Sequence, residues 1–572
     1  MDKRSLLAVV LCVAVLILYS SYMTRQQEQW KAGQDAVRPA TTPEAAAPSP
    51  SAGPSGEAPA PAVGLAGAPR VPAIEAPCQE VVVSTPLYQA VFCSWNGRVM
   101  SWRLKHFRST RPNKCPLLGW FDKPASRETP VQGAEDWVER IHAVGPGEFP
   151  LGLEFSTEQT RSALQEVLEP DRKRLDLVAG GGPDRLVFAG RDADGRGIQR
   201  VYTFDPASYL VQIEVRVQGI EPALQTAGLG LKLTERTPPG VKNDRYAFVG
   251  FMSLVDGSLT KVSKIKGDKD RYHTGDVAWE GFSDKYFLNC LIPLDNPRSS
   301  VVLDMPEAEN GEPGGLWTSR LIYNVKDHSE GGAGRFSYSL YIGPKDLDIL
   351  KAGGHSLQDA IDLGKFGFIA EPLLVVLKFF YRYTRNYGIA IILLTVLVKA
   401  LLYPLTRKQF RSMRKMQKEM QRLKPKMEAV REKHKNDKEK LNRELMELYR
   451  THQINPLSGC WPVLVQIPVF FALYNALLHS IELRQAPFFL WINDLSEKDP
   501  CYVTPIVLGL SQFLQQKMTP STGDPAQQRI MMMMPLVFTF MFLYFPSGLV
   551  LYWLVNNIIS IGQQYLSLRK KD

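Results

Sequence analysis

One ionisable side chain in this 572-residue chain stands where its charge is hardest to keep. Lys399 lies inside the run Ile391-Ile392-Leu393-Leu394-Thr395-Val396-Leu397-Val398-Lys399-Ala400-Leu401-Leu402. If that run is a helix crossing a bilayer, Lys399 sits roughly 12 Å from Arg407 and about 18 Å from Tyr387, in the cytoplasmic half. An ammonium at such depth costs at least ~2.5–3.5 kcal/mol, and a carboxylate on a neighbouring helix is the usual remedy. None of the apolar runs carries an interior Asp or Glu. Snorkelling falls short, because the side chain is about half as long as the distance to Arg407. Hydration remains: a water-filled recess open to the cytoplasm and lined by Thr395, Gln466, Gln512, Tyr552 and Asn556. A cationic, wet recess in a bilayer can hold a polar or acidic segment of another polypeptide while its apolar parts meet lipid.

Bond-making chemistry has no comparable signal. His106, His142, His273, His328 and His355 are scattered, and there is no HExxH, GxSxG or GxxxxGK[ST]. Gly180-Gly181-Gly182-Pro183 reads as a turn and lacks the helix start that would bind phosphate. Seven cysteines give no CxxC pair or zinc spacing. No catalytic residue, metal or cofactor is expected.

The elements that must position Lys399 follow from an uneven distribution of apolar residues. The whole-chain mean hydropathy of −0.15 resembles that of a soluble protein, yet the last third holds several runs of membrane length. Residues 1–24 read as an uncleaved signal anchor, with Lys3 and Arg4 ahead of an apolar stretch and no small-x-small cleavage site. Residues 25–77, rich in Ala and Pro, read as a disordered tether. From 78 to 360 short β-rich runs alternate with turn residues, as at Glu80–Ser84, Arg185–Ala189, Gln199–Phe204, Leu210–Val217 and Arg335–Ile342, and predict an antiparallel sandwich. Asp192 to Gly197 should turn a hairpin. Cys78, Cys93, Cys115 and Cys290 could pair there in three ways, and sequence does not choose among them.

Five further spans are expected at Tyr387–Leu405, Leu457–His479, Val503–Lys517, Ile530–Phe545 and Gly548–Leu566. Within 361–386, the apolar stretch Pro372–Tyr381 is too short to cross and should lie in the interface. Between Arg407 and Arg450 there are 16 Lys+Arg against 7 Asp+Glu, nearly the whole excess of a chain with net charge +10. The positive-inside rule puts this loop in the cytoplasm. Six spans with both termini cytoplasmic and residues 78–360 exported satisfy that rule. Within the loop, 407–454, Met413, Met416, Met420, Leu423, Met427 and Val430 form a seam that Leu441, Leu445 and Leu448 can meet, so a helical hairpin is expected. Pro425 should bend its first helix. The hairpin's outer face carries Arg411, Arg414, Lys415, Lys418, Arg431, Lys433 and Lys435, suited to ribosomal RNA or anionic lipid.

An ordered series of motifs carries a family likeness over roughly Asp362 to Arg569. Tyr403-Pro404-Leu405-Thr406 closes the second span, and Asn455-Pro456-Leu457 with Gly459-Cys460 opens the third. Glu482-Leu483-Arg484-Gln485-Ala486-Pro487 and Trp491-Ile492-Asn493-Asp494-Leu495-Ser496 follow, then Asp524-Pro525 with Gln527-Gln528, and Phe545-Pro546-Ser547-Gly548-Leu549-Val550-Leu551-Tyr552. In these the chain resembles the YidC/Oxa/Alb family of membrane protein insertases, in its Gram-negative subtype, which also has an anchor, a tether and an exported domain like a sugar-mutarotase sandwich. The resemblance implies an inner-membrane insertase and chaperone whose five-helix core holds a hydrophilic groove. Lys399 takes the groove position where most relatives carry Arg, and Lys lacks the guanidinium fork. It further implies substrate contact at Cys460 and Met541, and partners comprising nascent membrane proteins, the Sec translocon, the ribosome with its signal-recognition targeting machinery, and lipids, with no small-molecule substrate.

The expected fold class is therefore membrane α-helical with six transmembrane helices, plus an exported all-β sandwich and a cytoplasmic helical hairpin. An ion-coupled small-solute transporter is the alternative; it calls for an intramembrane carboxylate and inverted repeats with broken helices, and neither is present in the sequence. A third class, an anchored carbohydrate enzyme, would place catalytic acids in the β domain.

Overall fold

The computed structural model describes residues 78–109, 115, 136–143, 145–156, 161–163, 167–192, 194–236, 248–295, 298–305, 316–434, 437–452, 461–518 and 525–569. The expected anchor and tether lie outside the described residues. The chain forms two compact units, 1–73 with 523–534 and 74–522 with 535–572. In the first, the described residues are the helical stretch 525–534; everything else below concerns the second.

Alternating side chains build the β region. Gly197–Phe204 buries every second residue, including Ile198, Tyr202 and Phe204, and pairs antiparallel with both Asp184–Arg191 and Leu210–Gln218. Its hairpin with Asp184–Arg191 closes on the expected turn, where Asp192 N–H donates to Arg196 O at 3.0 Å and Gly195 takes φ +81°. Two sheets result, one of five strands and one of 15. The strand Tyr272–Ser283 pairs through Tyr272–Asp276 with Arg298–Asp304, and through Glu280–Ser283 with Phe287–Pro293. One strand thus serves two faces of the larger sheet, which folds it into a sandwich-like body. Its contiguous core includes Trp102, Trp279, Tyr202, Phe188 and Tyr338.

Eight longer helices follow: α1 Gly367–Thr384, α2 Tyr387–Leu401, α3 Tyr403–Lys433, α4 Lys438–Thr451, α5 Trp461–His479, α6 Val503–Met518, α7 Pro525–Phe542 and α8 Ser547–Arg569. Each of the five expected spans contains a helix among the described residues, but the bounds move: Ile530–Phe545 is replaced by Pro525–Phe542, and residues 457–460 lie outside the described residues. The Tyr387 span ends at Leu401 rather than Leu405, because Pro404 has no N–H to give Ala400 O and its ring crowds that carbonyl, while proline suits the first turn of a new helix. α3 starts there and runs through Pro425 to Lys433. Among the described residues no helix is long and apolar enough to cross a membrane.

α1 turns Ala370, Leu374 and Leu377 inward and leaves Phe368, Val375, Phe379 and Tyr383 exposed along another face. Its Lys378 binds Glu482 at 2.7 Å, Asp348 at 2.8 Å and Asp346 at 3.2 Å, joining the end of the β region to the segment after α5. Burial alone would lower the Lys378 pKa, but Glu482, Asp348 and Asp346 outweigh it and push the pKa up. The hairpin core is small: Leu423 and Met427 of α3 pack on Leu445, Leu448 and Tyr449 of α4.

The cysteines pair in a way the four candidates of the β region did not allow for. Cys78 bonds Cys93, whereas Cys115 bonds Cys501, 386 residues away, and Cys290 stays buried and free.

Candidate functional site

Three helices start from one loop. The segment between α5 and α6 receives the Asn386 side-chain amide on Phe488 O at 3.1 Å, just ahead of α2, where the Asn386 carboxamide oxygen also caps Ile389 N–H. Asp499 accepts from Thr504 N–H at 2.8 Å at the start of α6. Ser547 N–H and Gly548 N–H donate to Glu497 O and Leu495 O at the start of α8. With the three starts gathered, residue counts measure depth along the bundle. Gln512 and Asn556 are both about 14 Å along their helices, Lys399 about 18 Å and Ser560 about 20 Å.

Above the amide level, aromatic residues leave a cavity of about 410 Å³. Phe470, Phe471 and Tyr474 come from α5, Phe538, Met541 and Phe542 from α7, Phe545 from the turn that follows, and Trp553 from α8. Trp553 stacks on Phe470 at 5.6 Å and lies 4.4 Å from Phe542. Gln512, Asn556 and Asn557 supply its polar lining. The Asn557 amide donates to Ser511 Oγ at 2.8 Å, tying α8 to α6. Gln512 Oε1 is buried without a partner among the described residues, an acceptor left for an occupant.

One turn deeper, Lys399 Nζ donates to Ser560 Oγ at 2.8 Å, and the side chain is only 6% exposed. Ser560 Oγ donates its own proton to Asn556 O at 2.7 Å. Of the residues expected around Lys399, Gln512 and Asn556 line the cavity together with Met541. Thr395 is buried and donates to Ile391 O of its own helix, and Tyr552 is buried one turn from Asn556; neither is a lining residue. The Gln466 side chain and Cys460 lie outside the described residues. Lys399 is held below the cavity rather than in its wall.

The residues that sequence reasoning missed are Ser560, Asn557, Trp553 and the phenylalanines. Asn556, Ser560 and Gln563 recur at helical spacing on α8, a polar stripe legible in the sequence. On the hairpin, Lys418 and Lys433 are exposed, Arg431 is half-buried, and Lys433 lies 3.6 Å from Glu444. The side chains of Arg411, Arg414 and Lys415, and all of Lys435, lie outside the described residues.

Among the described residues, the fold and site are those of a helical bundle with an aromatic and amide cavity over a buried ammonium, joined to a large sheet domain. Residues 80–376 match the family model for the YidC periplasmic domain, and residues 379–572 match that of the 60Kd inner membrane protein. The chain is 41% identical over 99% of its length to the membrane protein insertase YidC of Syntrophus aciditrophicus (strain SB), covering 99% of that protein. It is 40% identical to the protein of the same name from Geobacter metallireducens, covering 99% of this chain and 98% of that one. The chain belongs to the YidC family of membrane protein insertases. A solved active YidC insertase aligns with 86% of this chain and 93% of its own at 17% identity and a TM-score of 0.35, and nothing that follows rests on that alignment.

Proposed function

We propose that this protein inserts other proteins into the inner membrane through the cavity and the lone cation beneath it. The observation that carries the reading is the vertical order of the site: an aromatic chamber, then Gln512, Asn556 and Asn557, then Lys399. A client's polar exported segment meets amides and an ammonium partway across the bilayer, which shortens the apolar path it must cross. Its apolar helix leaves past Phe471, Phe538 and Met541, between α5 and α7, and gains about 25 cal/mol for each Å² buried in lipid. No bond is made or broken and no ATP is needed.

The membrane placement has its own support. Leu510 and Leu514 on α6, and Leu536, Val537 and Phe540 on α7, are exposed apolar side chains that suit lipid. The exposed face of α1 suits the outer interface. A Cys115–Cys501 bond needs both residues in one oxidising compartment, which supports reading the sheet domain and the α5–α6 loop as sharing the periplasmic side. With the basic hairpin in the cytoplasm, this fits six spans with both termini inside. The ribosome, the targeting machinery and the Sec translocon are the partners this arrangement would serve.

The test is reconstituted insertion. Vesicles carrying the protein should protect a client's exported segment from protease more than empty vesicles do. Lys399→Ala should cut the yield for acidic exported segments about tenfold, the worth of one charge-assisted contact, whereas Lys399→Arg should keep it. Equal yields from all three proteins would refute the assigned role.

A further inference from the structure

The Lys399 ammonium, which has no carboxylate partner among the described residues, is held by a hydroxyl. Ser560 Oγ donates its single proton to Asn556 O at 2.7 Å, one turn back on α8. That commits the hydrogen and leaves the oxygen lone pairs free to accept, which is how Lys399 Nζ meets them at 2.8 Å. A lysine on a flexible stem is a poor recognition group unless something fixes its head. Here the fixing group stands on α8, on the turn that carries Asn556 at the cavity lining.

We propose that Ser560 is the positioning residue for client recognition: it parks the Lys399 ammonium one turn below the amides, and among the described residues it takes one of the three N–H donors and leaves two. Those two donors are the ones a client carboxylate takes. The chemical class recognised is therefore an acidic exported segment, read by charge and position together. A neutral hydroxyl suits this task better than a carboxylate would. An Asp at 560 would neutralise the ammonium in the resting protein and compete with every client, whereas a hydroxyl holds it and leaves its charge uncompensated. The inference rests on the insertase reading given above, including its preference for acidic segments, and adds to it which residue sets that preference.

The experiment measures insertion of two clients that differ only in the exported segment, one with two Asp residues and one with Asn in their place. The full-length protein and its Ser560→Ala, Ser560→Thr, Ser560→Asp and Lys399→Ala variants are compared at matched levels in vesicles. The readout is the ratio of acidic-client to neutral-client yield, which a merely structural role would leave unmoved. Ser560→Ala should lower the ratio about threefold or more, as expected for losing one hydrogen bond to a charged group. Ser560→Thr should restore it, and Ser560→Asp should abolish the preference. Adding Ser560→Ala to Lys399→Ala should change nothing further, because the two act as one unit. An unchanged ratio in Ser560→Ala, with the ratio lost in Lys399→Ala, would overturn the role of Ser560 alone. An equal fall for both clients would mark Ser560 as structural and also overturn it. A ratio unmoved by Lys399→Ala would sink the groove reading beneath it.

Discussion

Two buried ionisable side chains in this protein meet neutral partners that sequence alone did not pair with them. Lys399 is the clearest case: its position in an apolar run was legible, but Ser560 lies 161 residues away on another helix. The sequence points to hydration in a polar recess, and a hydroxyl contributed by a distant helix leaves no local pattern around Lys399 that would name it. The same happens in the sheet domain, where Glu235 accepts from the Asn289 side-chain amide at 2.7 Å, near Arg140 and Asp284. Burial, above all, pushes the Glu235 pKa up to about 7, against the pull of Arg140 and Asn289. Between the ordinary value of 4.5 and about 7 the unfolded chain releases this proton and the folded one keeps it. Stability should therefore fall as pH rises through that window, by up to about 3 kcal/mol, and then level off. Glu235→Gln should flatten that slope. The check is the urea midpoint of the full-length protein, read by tryptophan fluorescence from pH 4.5 to 8; parallel curves for variant and wild type would contradict the assignment.

At the scale of elements, regular patterning made most of the fold readable. Leu210–Gln218 alternates more and less buried residues, and the five apolar runs after residue 386 are helical over most of their described length. What failed was the end of α2, where a proline overrode a continuing apolar pattern. The cavity was half legible. Gln512, Asn556 and Met541 could be nominated singly, but which faces of α5, α7 and α8 converge depends on a loop that ties three helix starts together, and no periodicity reports that. The hairpin is the element most open to perturbation, since its core among the described residues is two buried side chains, Leu423 and Met427, against three partners. Leu423→Ala should cost about 2–5 kcal/mol and release α4, seen as faster hydrogen exchange over Lys438–Thr451 with the strands of the sheet domain unchanged. Unaltered exchange there would mean the two helices are held by something other than this seam.

Across the whole molecule, the sheet domain and the helical bundle are fastened at several points along one seam. The Arg484 guanidinium donates to Arg108 O at 2.7 Å, the Gln485 amide donates to Ser109 O at 2.8 Å, and Lys378 gathers Glu482, Asp348 and Asp346. The Cys115–Cys501 bond adds a covalent link in the same region. Nothing in the sequence pairs Cys501 with Cys115, because a partner 386 residues away leaves no spacing pattern. Protease cleavage between the sheet domain and α1 in spheroplasts should give two fragments that migrate together without reductant and separate with it. Cys501→Ser should separate them in both conditions. Fragments that part without reductant in the unsubstituted protein would contradict the link and, with it, one support for the shared periplasmic side.

The central claim is that a client passes through the chamber over Lys399, and site-specific photocrosslinking tests it most directly. A photoreactive residue is placed in turn at Met541, which lines the chamber, and at Leu514, an exposed apolar position on α6 that lines no part of it. Ribosome-bound nascent membrane protein should crosslink strongly from position 541 and only at background from 514. Equal capture from both positions, or capture from 514 alone, would show that clients travel along the lipid face of the bundle and not through its interior.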